Sequence, residues 1–102
     1  MFVLLLTYTQ PVEAVDALMR DHMRWLNDGY RDGRFVVSGR RVPRTGGVII
    51  ARGDDLAEVE AIAAADPFVT GGVATVEVIQ FNASQTADGF ESLQGASRGG
   101  AA

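Results

Sequence analysis

The chain has 102 residues, 47% of them apolar and 22% charged, a globular composition and a length that suit one domain with one hydrophobic core. Nine basic against thirteen acidic residues give a formal charge of −4, which argues against a nucleic-acid polyanion as the main partner. The absence of cysteine removes disulfides, thiolate metal sites and cysteine nucleophiles together.

Residues 2 to 9, FVLLLTYT, are rich in aromatic and β-branched types and predict a strand that is apolar on both faces. Pro11 then opens a helix near its first position, with Glu13 in the first turn and Gly29 or Gly33 as its stop. Residues 34 to 42 predict a second strand, and RTGG at 44 to 47 is turn chemistry leading into a third strand over 48 to 52. The second helix starts in GDDLAEVEAIAAAD, where Asp55 and Glu58 have capping-box spacing. It ends at Asp66, because Pro67 disfavours helical backbone in the residue before it. Residues 73 to 81, VATVEVIQF, predict the fourth strand.

The order βαββαβ is that of the ferredoxin-like α+β fold, a four-stranded antiparallel sheet with both helices on one face. Strand one offers Phe2, Leu4, Leu6 and Tyr8 to one side and Val3 and Leu5 to the other, and on strand four Ile79 and Phe81 oppose Val76 and Val78, so the face without helices is apolar as well. An apolar sheet face left bare predicts a homodimer with sheets packed face to face. Residues 1 to 82 are expected to form the domain. Residues 83 to 102 change to a polar tail rich in Gly, Ala and Ser, whose only large apolar anchors are Phe90 and Leu93. The longest apolar run, residues 2 to 6, is far too short to span a bilayer and no signal peptide is evident, so no membrane partner and a cytoplasmic address are expected.

Two residues stand where their types are uncommon. On a helix advancing about 100° per residue, Val15, Leu18, Met19, Trp25, Leu26 and Gly29 fall within roughly 60° of His22, the single histidine, and Glu13, Arg20, Arg24 and Asn27 fall opposite. His22 thus lies mid-stripe, where an imidazole without a partner costs a few kcal/mol. Asp66 stands at the C-terminal end of a helix, facing the negative pole of its macrodipole. Taken singly, each has an ordinary explanation: a core histidine bonded to backbone, and a cap for a turn beginning at Pro67. Taken together they suggest a pair, in which Asp66 accepts from His22 and orients it as an acid and base.

Arg40, Arg41 and Arg44 form the one basic cluster, which reads most simply as a solvated loop flank. Were it to serve a ligand, the ligand would be a small carboxylate or phenolate.

The lone His22, GRFVVSG at 33 to 39, ADPFVTGGV at 65 to 73 and the closing VEVIQF at 76 to 81 together resemble the YciI-like (YCII-related) family over about residues 1 to 82. The resemblance implies small cytoplasmic ferredoxin-like domains that pair into dimeric α+β barrels, with a His and Asp pair facing a cleft. It maps the catalytic pair onto His22 and Asp66, and the small-residue turn onto Ser38 and Gly39. With Arg40 after that turn and Phe68 beside Asp66, these four are the expected substrate contacts. Many members have proline after the glycine; here Arg40 occupies that place and proline is delayed to Pro43. Assigned reactions in the family imply cofactor-independent acid and base chemistry on small ring compounds, such as loss of chloride from a chlorinated hydroxyquinol, and the wider barrel group includes lactone isomerases. An elimination or isomerisation with His22 as base suits that class, and Arg40 or Arg41 would stabilise a developing phenolate or enolate. The alternative is a non-catalytic ligand-sensing or dimerisation module in which the pair supports the fold.

Other classes have less support. RNA-binding domains of this topology stack bases on strand-three aromatics, and the third strand here has none. One histidine, no cysteine and dispersed aspartates offer no metal-ligand spacing, so neither metal nor other cofactor is expected. Gly46-Gly47 and Gly71-Gly72 read as turns, not phosphate loops.

Overall fold

The computed structural model describes residues 1 to 95. In chain order the elements are β1 (Phe2–Tyr8), α1 (Val12–Ala17), α2 (Met19–Arg31), β2 (Phe35–Arg40), β3 (Gly46–Ala51), α3 (Leu56–Ala64), α4 (Pro67–Thr70) and β4 (Ala74–Gln80), with a 3-10 turn at Glu91–Leu93. The strands form one sheet in the order β2-β3-β1-β4, and β1 pairs antiparallel with both β3 and β4. This is the ferredoxin-like α+β arrangement expected from the order of elements.

Period-two alternation sorts the sheet residues. Phe2, Leu4 and Leu6 of β1 and Ile49 and Ala51 of β3 are buried, and they form one core with Val15, Leu26, Val59, Ala63 and Phe68 from the helices. Val3 and Leu5 point to the opposite face, where cross-strand pairing sets them beside Ile79, Ile50 and Val48. That face keeps apolar surface: Val37 is 56% exposed, Ile79 40% and Phe81 39%.

Four local features depart from the sequence expectation, among them that Gly46 and Gly47, read as a turn, open β3 and pair with Thr7 and Leu6. The first helix is two, because the Leu18 N–H bonds the carbonyl of Val15, three residues back, and the four-residue ladder is interrupted there. The second helix stops at Ala64, and Asp66 begins the separate short helix α4. A bulge in β2 places Phe35 opposite Ala51 and Val37 opposite Ile50, leaving Val36 unpaired. Since one extra residue inverts the alternation after it, Ser38 and Arg40 are turned to the helix side, opposite Ile49 and Gly47. At the end of α2, Gly29 makes close packing possible: a Cβ there would lie 2.2 Å from the Phe35 ring. The absent side chain lets α2 settle against the start of β2.

Of the tail expected over residues 83 to 102, residues 96 to 102 lie outside the described part. Ala83 is buried and accepts from the N–H of Gly95, while Phe90 is 56% exposed.

Candidate functional site

His22 lies in the second turn of α2, and Asp66 caps α4, 44 residues later in the chain. The two meet with His22 Nδ1 2.8 Å from Asp66 Oδ1. The same oxygen accepts the backbone N–H of Phe68 at 3.0 Å. The cap of α4 and the contact with His22 therefore share one atom. Pro67 at the first helical position has no N–H to offer, so Phe68 supplies the donor that meets the capping carboxylate.

Asp66 is fully buried and the His22 side chain is 12% exposed. A carboxylate oxygen receiving a backbone N–H acts as acceptor, so the Nδ1 edge of a neutral His22 carries the proton and Nε2 keeps the lone pair. Among the described residues no protein group is bonded to Nε2. The Phe68 ring stacks on the imidazole, with centroids 3.9 Å apart and planes inclined by 4°. Trp25 sits at 5.7 Å on the same helix and is held by its indole N–H to the Ile62 carbonyl. One residue, Phe68, thus fixes the carboxylate by its backbone and the imidazole by its ring.

His22 opens onto a cavity of about 260 Å³ between α2 and the sheet. From α2 it is walled by Met19, His22, Met23 and Leu26; from the sheet by Leu6, Tyr8 and the glycine-rich ends of β2 and β3. Ser38, Gly39, Arg40 and Phe68 all line it, so the structure gathers the four expected contact residues around His22. Asp66 does not line it and lies behind the imidazole.

The three arginines part company. Arg40 faces the cavity, Arg41 bonds the Thr7 hydroxyl at 3.1 Å, and Arg44 pairs with Asp16 at 2.6 Å. The Asp16 hydrogen bond raises the Arg44 pKa above its ordinary value, with a smaller contribution from Tyr8, whose ring centroid lies 5.9 Å away. Arg41, expected beside a ligand as an alternative to Arg40, does not line the cavity. Sequence reasoning passed over Tyr8, Met19 and Met23 as wall residues. It also missed Tyr30, whose hydroxyl lies 2.5 Å from Ser38 Oγ. Tyr30 follows His22 by eight residues on the same helix, but nothing local marked its partner.

Among the described residues there is no cluster of three or more His, Asp or Glu side chains able to hold a metal ion, and no helix is long and apolar enough to cross a membrane.

A family model for the YCII-related domain matches residues 1–82. The chain belongs to the YCII-related family. Among solved structures, it is similar to a 5-chloro-2-hydroxyhydroquinone dehydrochlorinase from Burkholderia phenoliruptrix, determined in complex with 2,5-dihydroxybenzoquinone. The TM-score is 0.64 at 18% sequence identity, over 80% of this chain and 94% of the other. At that identity the likeness concerns the fold. No curated protein sequence matches the chain.

Proposed function

We propose that this YCII-related domain binds a small cyclic organic molecule in the cavity beside His22 and moves a proton on it, with His22 as general base and Asp66 as its orienting partner, without a cofactor. The observation that carries this reading is the 2.8 Å contact at Nδ1, which leaves the opposite edge of the ring as an acceptor at the cavity wall. In an elimination or isomerisation, Nε2 takes a proton from the ring compound. The electron pair of the broken bond enters the ring, where it expels a leaving group or awaits reprotonation at another carbon. The imidazolium so formed is stabilised by Asp66 through Nδ1 and by the face of the Phe68 ring. Ser38, Gly39, Arg40 and Phe68 form the contact surface. A homodimer through the bare sheet face completes the proposed assembly.

The dehydrochlorinase with a similar fold suggests the first compounds to try. Wild-type protein and His22→Gln are incubated with 5-chloro-2-hydroxyhydroquinone, chloride release is followed, and 2,5-dihydroxybenzoquinone is titrated by calorimetry. General-base loss is worth about 10²–10⁴ in rate, so turnover in His22→Gln should fall by that factor while the fold persists. Equal turnover in both proteins would remove His22 from the chemistry.

A second reading has its own support: because Asp66 Oδ1 also caps α4, the pair contributes to the fold whether or not it turns anything over. Binding of the quinone without chloride release would favour ligand sensing.

A further inference from the structure

A base that takes a proton from a ring compound does half of an elimination or isomerisation, because another atom of the ring must gain a proton. Among the side chains that line the cavity, Tyr8, His22, Ser38 and Arg40 carry exchangeable protons. A phenol gives up its proton more readily than an alcohol or a guanidinium. Tyr8 stands on the sheet wall and His22 on the α2 wall, so a ring between them meets one from each.

Tyr8 is also held in place. Its N–H bonds the Thr45 carbonyl at 2.9 Å, and its ring meets that of Phe68 edge-on with centroids 6.0 Å apart, so the side chain stacked on His22 also packs against Tyr8. The bond to Thr45 brings the preceding residue, Arg44, beside the phenol: the guanidinium carbon lies 5.9 Å from the Tyr8 ring centroid. Asp16 of α1 takes Nη2 of Arg44 at 2.6 Å, while Nε is buried and, among the described residues, has no hydrogen-bond partner. An anchored cation with a donor to spare thus stands beside a phenol, where it favours negative charge on the phenol oxygen.

We infer that Tyr8 is a second catalytic residue, the acid that gives a proton to the ring as His22 removes one, with Arg44 as the positioning residue that supports the phenolate until its proton returns. This rests on the proposed role of His22 and adds the group that completes its reaction. For 5-chloro-2-hydroxyhydroquinone the balance is explicit. His22 Nε2 takes the proton of the hydroxyl next to the chlorinated carbon, that oxygen becomes a carbonyl, and the displaced ring pair takes the Tyr8 proton at the chlorinated carbon. The Tyr8 oxyanion then removes the proton of the hydroxyl across the ring, and chloride leaves with its bonding pair. The product is 2-hydroxy-1,4-benzoquinone; Tyr8 has its proton back, the imidazolium releases one to solvent, and no oxidant is consumed.

The test uses wild type, His22→Gln, Tyr8→Phe, Arg44→Gln, Arg44→Lys and the double variant Tyr8→Phe/Arg44→Gln, each checked for folding by urea unfolding. Three readouts are taken: chloride release from 5-chloro-2-hydroxyhydroquinone, exchange of the ring hydrogens of benzene-1,2,4-triol in D2O by proton NMR under anaerobic conditions, and calorimetric binding of 2,5-dihydroxybenzoquinone. Tyr8→Phe should slow release and exchange by about 100-fold or more, the scale of a lost general acid, with quinone affinity unchanged. Arg44→Gln, one step removed from the ring, should slow both about tenfold, and Arg44→Lys should recover most of that loss. Because Arg44 works through Tyr8, the double variant should be no slower than Tyr8→Phe, whereas a merely structural Arg44 would weaken quinone binding and slow the reaction in either background. Wild-type rates in Tyr8→Phe, or a loss of quinone affinity as large as its loss of rate, overturn the acid; if His22→Gln is inactive in the same assays, the base and its cavity stand. Neither release nor exchange by wild type overturns both.

Discussion

Asp66 Oδ1 sits 2.8 Å from His22 Nδ1 while it receives the N–H of Phe68 at 3.0 Å, so a single buried oxygen caps the start of α4 and fixes an imidazole. Its mate, Oδ2, is buried and, among the described residues, has no hydrogen-bond partner. The carboxylate is therefore committed through one side only. Substitutions there should separate its two tasks.

Asp66→Ala loses the cap, about 1 kcal/mol, and a charge-assisted hydrogen bond, about 1.5–3 kcal/mol, and should be destabilised by about 3 kcal/mol in urea unfolding. Asp66→Asn keeps an acceptor for the Phe68 N–H and should lose less, about 1–2 kcal/mol. In a cycle with His22→Gln, the two changes should be non-additive by at least about 0.5 kcal/mol, the level that separates touching residues from independent ones. Additive values would place the two side chains apart in solution. A ring-nitrogen NMR spectrum provides a second check: the Nδ1–H tautomer should dominate neutral His22 in the wild type and give way to a mixture in Asp66→Ala, which has no acceptor for it.

Gly29→Ala should destabilise the fold by about 1–3 kcal/mol, the usual cost of forcing extra volume into a packed site. The new Cβ would lie 2.2 Å from the Phe35 ring, which must turn or push α2 outward. Trp25, whose ring centroid is 5.2 Å from that of Phe35, reports the movement as a change in fluorescence. An unchanged unfolding midpoint would show that α2 and β2 are less closely set.

The bare sheet face leads us to propose a homodimer. Sedimentation equilibrium at micromolar concentration should give twice the chain mass of 10.9 kDa. Ile79→Lys, at a position 40% exposed on that face, should yield a folded monomer. A wild-type monomer would exclude face-to-face sheets.

Residues after Ala83 are proposed to lie outside the core. Truncation there should lower stability by less than about 2 kcal/mol, the range of one buried apolar side chain. Phe90, 56% exposed, contributes little burial within one chain. A larger loss would assign Phe90 or Leu93 to the fold or to the dimer interface.

Much of the architecture could be read from local chemistry. Alternation set Phe2, Leu4 and Leu6 apart from Val3 and Leu5 on β1, Asp55 marked a helix start and Pro67 a helix end, and strand composition marked four strands in the right order. These signals are short-range, carried by side-chain period and by what proline and capping residues do to their neighbours. His22 and Asp66 were conspicuous for the same reason, each being a misfit in its own element.

Other features had no local sign. No proline or glycine marks the break at Leu18, and nothing in GRFVVSGR announces that Val36 would be passed over in the ladder. That one bulge decides which arginine of three faces the cavity and whether Ser38 meets Tyr30, because after it every β2 side chain changes face. By itself the sequence determined the four strands, the helical regions between them, their order and two residues in need of partners. The tertiary structure decided how those needs were met: contacts across 44 residues follow from sheet register and helix packing, which depend on the whole chain closing at once rather than on any stretch of it.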